Sequence, residues 1–584
     1  MAQGWLQIAI FLAVVVALTP PLGAYMARVY RNERVFLTPV LGGVERLTYR
    51  VIGVDPNREQ DWKSYARTLI VFSGLFWLAL YLILRTQNIH PLNPQGFSSG
   101  TWDVSFNTAS SFVTNTNWQY YAGETTLSNF SQMAGLTVQN FVSAAVGMAV
   151  LAALIRGILN RSGSSLGNFW QDAVRGMYYI LLPLSIVVAL LLLSQGVLQT
   201  LGHAVTAKTL EGADQVLAVG PVASQVAIKQ LGTNGGGFFN VNSAMPFENG
   251  TAFSNFVELL SIIIIPAALT YTYGRMVGSR RQGWAIFAAM AVLFVVFILV
   301  IFPAEQHGTV AQHAAGVHTH QIAGSTGGNL EGKEQRNGIV GSALWGTTTT
   351  VTSNGSVNSA LESYTPLGGA VPMFGLASSE VVFGGVGTGM YSMLLFVILA
   401  VFIGGLMVGR TPEYLGKKIE AREIKLASLG VLFTPLAVLV ATAVAVATKY
   451  GKVSIFNQGP QGFSESLYAY LSQANNNGSA FAGYTGYVQP NAPGNKGAFG
   501  ISFADVVGGV TMVTARFIPI LLVLAVAGSL AGKRVAPAGL GTMRTDNPTF
   551  VVLLIGVIVL VGALTFFPAL LLGPIVQALS NQLF

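Results

Sequence analysis

The chain has 584 residues, of which only 9% are charged and 52% are hydrophobic, and its mean hydropathy is +0.57. Soluble domains carry roughly 25% charged residues, so this composition excludes a water-covered globular protein and indicates an integral membrane protein. Cysteine is absent, which excludes disulfides, thiolate catalysis and cysteine-ligated metal centres. The net charge of +8 does not indicate a nucleic-acid partner, because the basic residues are concentrated in short loops between apolar runs.

Ten apolar runs are long enough to cross about 30 Å of hydrocarbon as helices of roughly 20 residues. The predicted spans are 5–30, 68–84, 131–159, 173–194, 255–275, 283–302, 391–408, 426–448, 505–530 and 549–572. The first run is predicted to remain as a span, because it is long, contains Pro20 and Pro21, and lacks a basic leader. The sequence therefore predicts an all-α, multi-pass protein in the lipid bilayer.

Lysine and arginine are distributed unevenly among the connections between spans. The short odd-numbered connections, with the span ends that flank them, hold most of the 31 basic residues, although the even-numbered connections are longer. Arg516 lies inside the ninth span. The positive-inside rule places the odd-numbered connections in the cytoplasm and both termini outside.

The external connections after spans 2, 4, 6 and 8 each contain a short, weakly apolar, helix-forming stretch that runs into a small polar motif. The motif residues are Thr114, Asn115, Thr116 and Asn117, then Thr233, Asn234 and Gly235, then Ser353, Asn354 and Gly355, and finally Asn476, Asn477 and Gly478. Alignment on the asparagines at 115, 234, 354 and 477 gives a repeat of roughly 120 residues. In this alignment the first copy has Thr116 where the other three have glycine.

This repeat predicts one membrane domain, 1–584, built from four similar units. Each unit is a span, a re-entrant pore helix and a second span, and the units are 68–159, 173–275, 283–408 and 426–530. The runs 5–30 and 549–572 are predicted to be one extra helix at each end. Non-helical backbone is tolerated at membrane depth only where protein buries it or a wet cavity adjoins it, so the four motifs are expected to surround a pseudo-fourfold pore.

The chemistry of the motifs favours a monovalent cation. Each pore helix would direct its partially negative C-terminal end at the axis, where backbone carbonyls and the side-chain oxygens of Asn, Thr and Ser are also available. No motif contains a carboxylate, whereas divalent cations ordinarily require one, so potassium is the predicted substrate and Gln119 is placed near the filter. Aspartate in place of Gly235 or Gly355 is expected to weaken potassium affinity or selectivity without unfolding the protein.

Two predicted cytoplasmic segments complete a family pattern. They are Gly53-Val54-Asp55-Pro56 continuing to Asp61-Trp62-Lys63, and Gly409-Arg410-Thr411-Pro412-Glu413-Tyr414-Leu415-Gly416-Lys417-Lys418. Together with the four motifs they resemble the potassium-translocating subunits of the bacterial Kdp transport ATPases, over essentially the whole chain. The resemblance implies potassium uptake across the bacterial inner membrane, with a P-type ATPase subunit and two smaller membrane subunits as partners. Neither an organic cofactor nor ATP hydrolysis by this chain is expected.

Two charged residues are predicted at membrane depth. Glu380 precedes the glycine-rich run 384–389, and Arg516 lies in the ninth span; both are expected to face a cavity or each other, because an unpaired charge there costs several kcal/mol. The glycine run predicts that 371–408 is one bent element with a loop below the filter. By the resemblance, Glu380, Gly385, Gly387 and Arg516 would form the ion's exit and gate.

Two other functions are compatible with parts of this pattern. The nearer one is a gradient-driven or channel-type potassium transporter built from the same four units. The other is an intramembrane lipid-modifying transferase, which would require a nucleophile or an acid–base pair at one depth, and only Glu380 and Arg516 are candidates. Residues 303–335 and 484–500, rich in small residues, are predicted to be surface loops, and Trp118 and Phe238-Phe239 are predicted to pack around the filter.

Overall fold

A computed structural model describes residues 2–161, 163–322, 327–378, 380–485, 502–537 and 542–580. Ten helices within these ranges are long and apolar enough to cross a membrane, and each predicted span overlaps one of them. The agreement is close because lipid requires every spanning backbone group to be paired within its own helix, and this leaves long uninterrupted apolar runs in the sequence.

The helices of the first half differ in length according to their place in the repeat. They are α1 (Ala2–Tyr30), α2 (Thr38–Ile52), α3 (Trp62–Arg85), α4 (Trp102–Val113), α5 (Gly123–Thr126), α6 (Val138–Leu159), α7 (Phe169–Arg175), α8 (Leu182–Ser194), α9 (Val222–Leu231) and α10 (Ala252–Met276). A π-helical stretch, Ser131–Thr137, leads into α6, and another, Gly176–Leu181, joins α7 to α8 as one span.

The second half continues the same alternation of long and short helices. They are α11 (Arg280–His307), α12 (Val310–Ala314), α13 (Gly338–Val351), α14 (Pro366–Ala377), α15 (Thr388–Val408), α16 (Ala421–Ala447), α17 (Lys449–Lys452), α18 (Gly459–Ala474), α19 (Phe503–Ala531), α20 (Pro548–Leu570) and α21 (Val576–Ser580). A π-helical stretch, Leu571–Ile575, joins α20 to α21.

The four predicted repeats are present around a pseudo-fourfold axis. Repeat 1 contains α3, the pore helix α4 and the inner helix α6; repeat 2 contains α7–α8, α9 and α10; repeat 3 contains α11, α13 and α15; repeat 4 contains α16, α18 and α19. The inner helix α6 packs against α19 and α15, whereas the extra helices lie outside, α1 against α10 and α20 against α11. The fold class predicted from the sequence is confirmed.

The pore helix α13 shows how a polar sequence remains helical at membrane depth. Its residues Thr347 to Thr350 are fully buried, although β-branched residues are mediocre helix formers. The hydroxyls of Thr347, Thr348 and Thr350 each donate to the carbonyl four residues earlier, at 2.9, 2.7 and 2.7 Å. This back-bonding satisfies the hydroxyls without any partner outside the helix.

Two small antiparallel hairpins accompany the helices and were not predicted. The first hairpin pairs β1 (Val205–Lys208) with β2 (Asp214–Leu217), and Val205 lies opposite Leu217. The second hairpin pairs β3 (Glu413–Tyr414) with β4 (Lys417–Lys418) and lies within the second family segment. Both are too short to produce an alternating pattern that sequence reasoning could recognise.

The prediction of a surface loop at 303–335 is wrong in part. Helix α11 continues to His307, and the side chains of Glu305 and Lys333 are completely buried in an ion pair of 2.8 Å. Burial lowers the pKa of Lys333, and its ammonium also lies 4.0 Å above the ring of Tyr364. Most of the second predicted loop, 484–500, lies outside the described residues.

Candidate functional site

The four polar motifs leave their pore helices in the same way. The backbone N–H groups of Thr116, Asn234, Asn354 and Asn477 donate to the carbonyls of Ser111, Lys229, Thr349 and Ser472, at 2.9, 2.9, 2.9 and 2.8 Å. Each bond spans five residues and closes the last turn of its pore helix. These four residues therefore occupy equivalent places, and the residues that follow them form one repeated filter segment.

Backbone angles confirm this equivalence. The preceding residues, Asn115, Thr233, Ser353 and Asn476, have φ of 72, 47, 53 and 53°, and the following residues, Asn117, Gly235, Gly355 and Gly478, have φ of 53, 69, 95 and 99°. The predicted alignment is thus wrong by one residue in the first copy: Thr116 corresponds to Asn234, and Asn117 takes the place of glycine. Asparagine can do so because it tolerates the left-handed region better than other side chains.

Three glycines allow neighbouring filter segments to approach closely. A Cβ on Gly235 would lie 2.0 Å from the carbonyl oxygen of Asn354, and one on Gly355 would lie 1.8 Å from that of Asn477. A Cβ on Gly478 would lie 2.2 Å from the carbonyl oxygen of Thr116. The contacts run from repeat 2 to 3, 3 to 4 and 4 to 1, so the segments form a ring in which no side chain fits at these positions.

Asparagine amides tie the segments of the ring together. Asn354 Nδ2 donates to the Lys229 carbonyl at 2.9 Å, and Asn477 Nδ2 donates to the Thr349 carbonyl at 2.7 Å, in both cases reaching the preceding repeat. Between repeats 1 and 2, Asn117 Nδ2 donates to the Gly235 carbonyl at 3.1 Å. These amides therefore brace the filter and leave the backbone carbonyls as its available oxygens.

Every repeat has an unpaired filter carbonyl at the position where its segment leaves the pore helix. In the part of the chain that the structure describes, the backbone oxygens of Thr116, Asn234, Asn354 and Asn477 accept no hydrogen bond, and all four residues are buried. An unpaired buried carbonyl is unfavourable. A ring of four such oxygens at equivalent positions is therefore suited to a cation that gives up part of its water shell.

The filter segments open into a large cavity of about 1140 Å³, whose lining includes Asn117, Gly236, Gly355 and Gly478. The amide of Gln119 contacts the second filter segment: its Oε1 accepts the Gly237 N–H at 3.1 Å and its Nε2 donates to the Gly237 carbonyl at 3.3 Å. One cavity thus reaches a filter residue from every repeat.

Aromatic side chains pack around the filter, as the sequence predicted. Trp118 contacts Tyr120 and Tyr484 with ring centroids 5.5 and 6.0 Å apart, and Phe238 contacts Phe239 at 4.9 Å. Such edge-to-face contacts stiffen the outer ends of the filter segments.

Two carboxyl groups meet at the outer end of pore helix α18. Asn457 Nδ2 donates to Glu362 Oε1 at 2.9 Å and to Glu465 Oε1 at 2.6 Å. Burial, together with the neighbouring Glu362, raises the pKa of Glu465 to about 8. This contact joins the segment between α13 and α14 of repeat 3 to the pore helix of repeat 4.

The predicted loop below the filter lies between α14 and α15, and the structure describes its residues 378 and 380–387. Asn476 Nδ2 donates to Glu380 Oε1 at 3.0 Å, and the Val386 N–H donates to Thr233 Oγ1 at 2.8 Å. The loop is therefore bonded directly to the filter motifs of repeats 4 and 2. At its far end, a Cβ on Gly387 would lie 2.2 Å from the Gly147 carbonyl of α6, so only glycine allows this close approach of backbones.

Glu380 and Arg516 share a cavity, as one of the two predicted arrangements requires. The cavity is about 30 Å³ and is lined by both residues together with Asn476 and Thr388; this volume accommodates about two waters. Arg516 Nη1 donates to Thr388 Oγ1 at 2.5 Å, at the first residue of α15. Arg516 thus holds the end of the loop.

Two residues that brace the filter, Asn140 and Ser143, were not identified from the sequence. Ser143 Oγ donates to Asn115 Oδ1 at 2.7 Å, and Asn117 Nδ2 donates to Asn140 Oδ1 at 2.6 Å. Both partners lie on α6, three residues apart and therefore on one face of the helix. A polar pair inside an apolar span was the available signal.

Comparison with known families identifies the chain. Residues 9–579 match the family model described as the potassium-transporting ATPase A subunit, KdpA. The chain belongs to this family. It is 56% identical over 588 residues to a potassium-transporting ATPase potassium-binding subunit of Sorangium cellulosum, with 99% of each chain covered, and 55% identical over 587 residues to one of Herpetosiphon aurantiacus, with the same coverage.

A solved structure shares the fold. The chain is similar to the potassium transporter TrkH of Vibrio parahaemolyticus, with a TM-score of 0.51 over 79% of this chain and 84% of that chain. The sequences are 16% identical, so this likeness concerns the arrangement of the four repeats.

Proposed function

We propose that this chain captures potassium outside a bacterial inner membrane and passes it inward as one subunit of an ATP-driven importer. The observation that carries the proposal is the ring of buried, unpaired carbonyls at Thr116, Asn234, Asn354 and Asn477. Neutral oxygens replace the water shell of a weakly hydrated cation most readily, which favours potassium over divalent ions. The names of the curated relatives, which specify a potassium-binding subunit, support the same ion.

The filter residues have two roles in this proposal. The backbone oxygens of the ring contact the ion, whereas the glycines and asparagines set the spacing of the segments by close contact and amide bonding. Thr114 contributes through its hydroxyl, which lies 2.9 Å from that of Thr116. Selectivity then arises from the number and field of carbonyl dipoles.

Below the filter, Glu380 meets the ion first and the loop segment 380–387 acts as the gate. The loop supports this role because it is bonded to filter motifs of two repeats and closes against α6 through Gly387, while Gly385 adjoins Glu380. The cavity beside Glu380 extends to Gly430 and Thr434 of α16. The ion's path from the filter is therefore proposed to turn sideways toward repeat 4, with Arg516 holding the base of the gate.

Energy is proposed to come from a P-type ATPase subunit, with two smaller membrane subunits completing the complex. The sequence supports an external energy source, because the Asp-Lys-Thr-Gly phosphorylation motif of such pumps is absent and Gly528 to Arg534 is one residue short of a phosphate-binding loop. Both termini are placed outside by the distribution of basic residues.

The deciding experiment measures potassium uptake into vesicles that contain the chain with or without its ATPase partner. Uptake is expected only with the partner and ATP, and potassium is expected to raise the melting temperature of the purified chain more than sodium does. Uptake by the chain alone that is insensitive to ATP depletion would instead establish the gradient-driven alternative.

A further inference from the structure

Lys229 occupies a pore-helix position where the other three repeats have a hydroxyl residue. The equivalent residues, defined by their carbonyl bonds to the filter ring, are Ser111, Thr349 and Ser472. Each hydroxyl braces its own filter segment: Ser111 donates to the Trp118 carbonyl at 3.0 Å, Thr349 donates to the Ser356 carbonyl at 2.6 Å, and Ser472 accepts the Gly478 N–H at 2.9 Å. Repeat 2 departs from this pattern with a charged side chain.

The Lys229 ammonium forms an ion pair with Glu248, and both side chains are completely buried. The pair lies directly behind the second filter segment, since a Cβ on Gly237 would be 3.0 Å from Lys229 Nζ and 2.9 Å from Glu248 Oε1. Glu248 Oε1 also accepts the Phe239 N–H at 3.0 Å. Because water is excluded here, neither charge is screened as it would be at a surface.

The same segment is held from two other directions. Gln119 of repeat 1 bonds both backbone groups of Gly237, and the Lys229 carbonyl accepts the amide of Asn354 in repeat 3. Lys229 is thus the residue at which the ion pair, the second filter segment and the third segment meet.

A buried ion pair is a poor source of stability compared with a neutral brace of similar volume. The three hydroxyls show that a neutral brace suffices at this position in the other repeats. The distinctive property of Lys229 and Glu248 is therefore electrostatic: two opposite charges balanced next to carbonyls that are proposed to bind a cation.

We propose that the Lys229–Glu248 pair is a specificity-determining element of the potassium site, in which each charge offsets the effect of the other on the potential at the filter. The inference rests on the proposed function. Loss of either partner leaves one uncompensated charge beside the ring, and the two losses act in opposite directions on a bound cation. Other carboxyls on this side, Glu124 and Glu258, accept bonds from the neutral donors Asn240, Gln230 and Ser243, so removal of Lys229 leaves the region negative.

The test compares Glu248→Gln, Lys229→Met and the double variant by potassium- and sodium-dependent thermal stabilisation. Glu248→Gln is expected to weaken potassium binding about tenfold, because the ammonium remains alone. Lys229→Met is expected to tighten cation binding and to reduce the preference for potassium over sodium. The double variant, which leaves no charge, is expected to return to within about threefold of wild-type affinity.

The proposal is overturned if both single variants change potassium affinity in the same direction, because a merely structural pair weakens binding whichever partner is removed. It is also overturned if either single variant keeps the wild-type dissociation constant for potassium. If Glu248→Gln does not fold, the comparison of Lys229→Met with Lys229→Arg tests the proposal instead. The arginine variant keeps the charge and should retain the preference for potassium over sodium, which the methionine variant should lose. An equal preference for potassium over sodium in these two variants would show that the charge of Lys229 does not determine specificity. Failure of the proposed function can be distinguished from failure of this inference, because the wild-type chain itself would then show no potassium-specific stabilisation.

Discussion

Gly355→Ala tests whether the close contact between filter segments sets potassium affinity. Gly355 is the filter glycine with the tightest contact, and its φ of 95° lies in a region that disfavours any side chain. Alanine adds only a methyl group and no charge. The sequence argument expected aspartate here to act through its field, whereas the structure shows that the first carbon of any side chain already meets backbone.

The magnitude follows from the geometry of that contact. The added Cβ would lie 1.8 Å from the Asn477 carbonyl oxygen and 2.7 Å from the carbonyl carbon. Non-bonded heavy atoms are ordinarily about 3.5 Å apart. The segments must therefore separate by roughly 1 Å or more, which displaces one of the four ring carbonyls. Returning the displaced carbonyl to the ring when potassium binds costs about 1–3 kcal/mol of backbone strain. This cost is equivalent to a loss of potassium affinity of roughly 5- to 150-fold.

The assay is a potassium titration of melting temperature on purified protein, with rubidium and sodium as comparison ions. The matched control is Gly556→Ala in α20, where an added Cβ meets nothing within 4 Å. A Gly355→Ala variant that folds and binds potassium within about twofold of wild type would refute the proposed role of the Asn477 carbonyl.

Three further predictions concern Lys417 in the second hairpin, Glu465 beside Glu362, and Arg516 at the start of α15. Lys417→Met should lower the free energy of unfolding by about 2–4 kcal/mol in denaturant titrations, because Lys417 Nζ donates to three carbonyls, including Leu530 at 3.0 Å; exposed Lys418→Met is the control. Since the pKa of Glu465 is raised to about 8, the folded state holds an extra proton between about pH 4.5 and 8, and stability should fall as pH rises through that window. Glu465→Gln should flatten this decline in melting temperature, whereas Glu211→Gln should not. Arg516→Met should slow uptake at least about fivefold with little change in external potassium affinity, because its contact with α15 lies below the filter; equal losses of both would contradict this separation.

The ten spans and four repeats were predictable because lipid imposes them on composition. An apolar run of spanning length has few alternative structures, and a polar motif recurring behind each short helix has a single economical arrangement. The prediction of which loops are cytoplasmic rests likewise on charge counts in short loops. None of these inferences requires knowledge of side-chain contacts.

The register of the first motif was not predictable in the same way. Asparagines at 115 and 117 both offer a match to the single asparagine of the second motif, whereas the five-residue bond from Thr116 to Ser111 shows that Thr116, between them, is the equivalent residue. The role of Lys229 was missed for a related reason. It was counted among the external basic residues, although a lysine at the C-terminal turn of a re-entrant helix must be buried and requires a partner.

Repeats 1, 2 and 3 depart from fourfold symmetry at different places, and a neighbouring element compensates each departure. Asn117 replaces glycine in repeat 1 and is bonded to Gly235 and Asn140. Lysine replaces a hydroxyl residue in repeat 2 and is balanced by Glu248. Repeat 3 breaks its inner helix to form the loop of Glu380, which the filter residue Asn476 of repeat 4 holds. A symmetric ring would give the ion no preferred side on leaving the filter, so a lateral exit requires departures of this kind, placed where an adjacent segment can satisfy them.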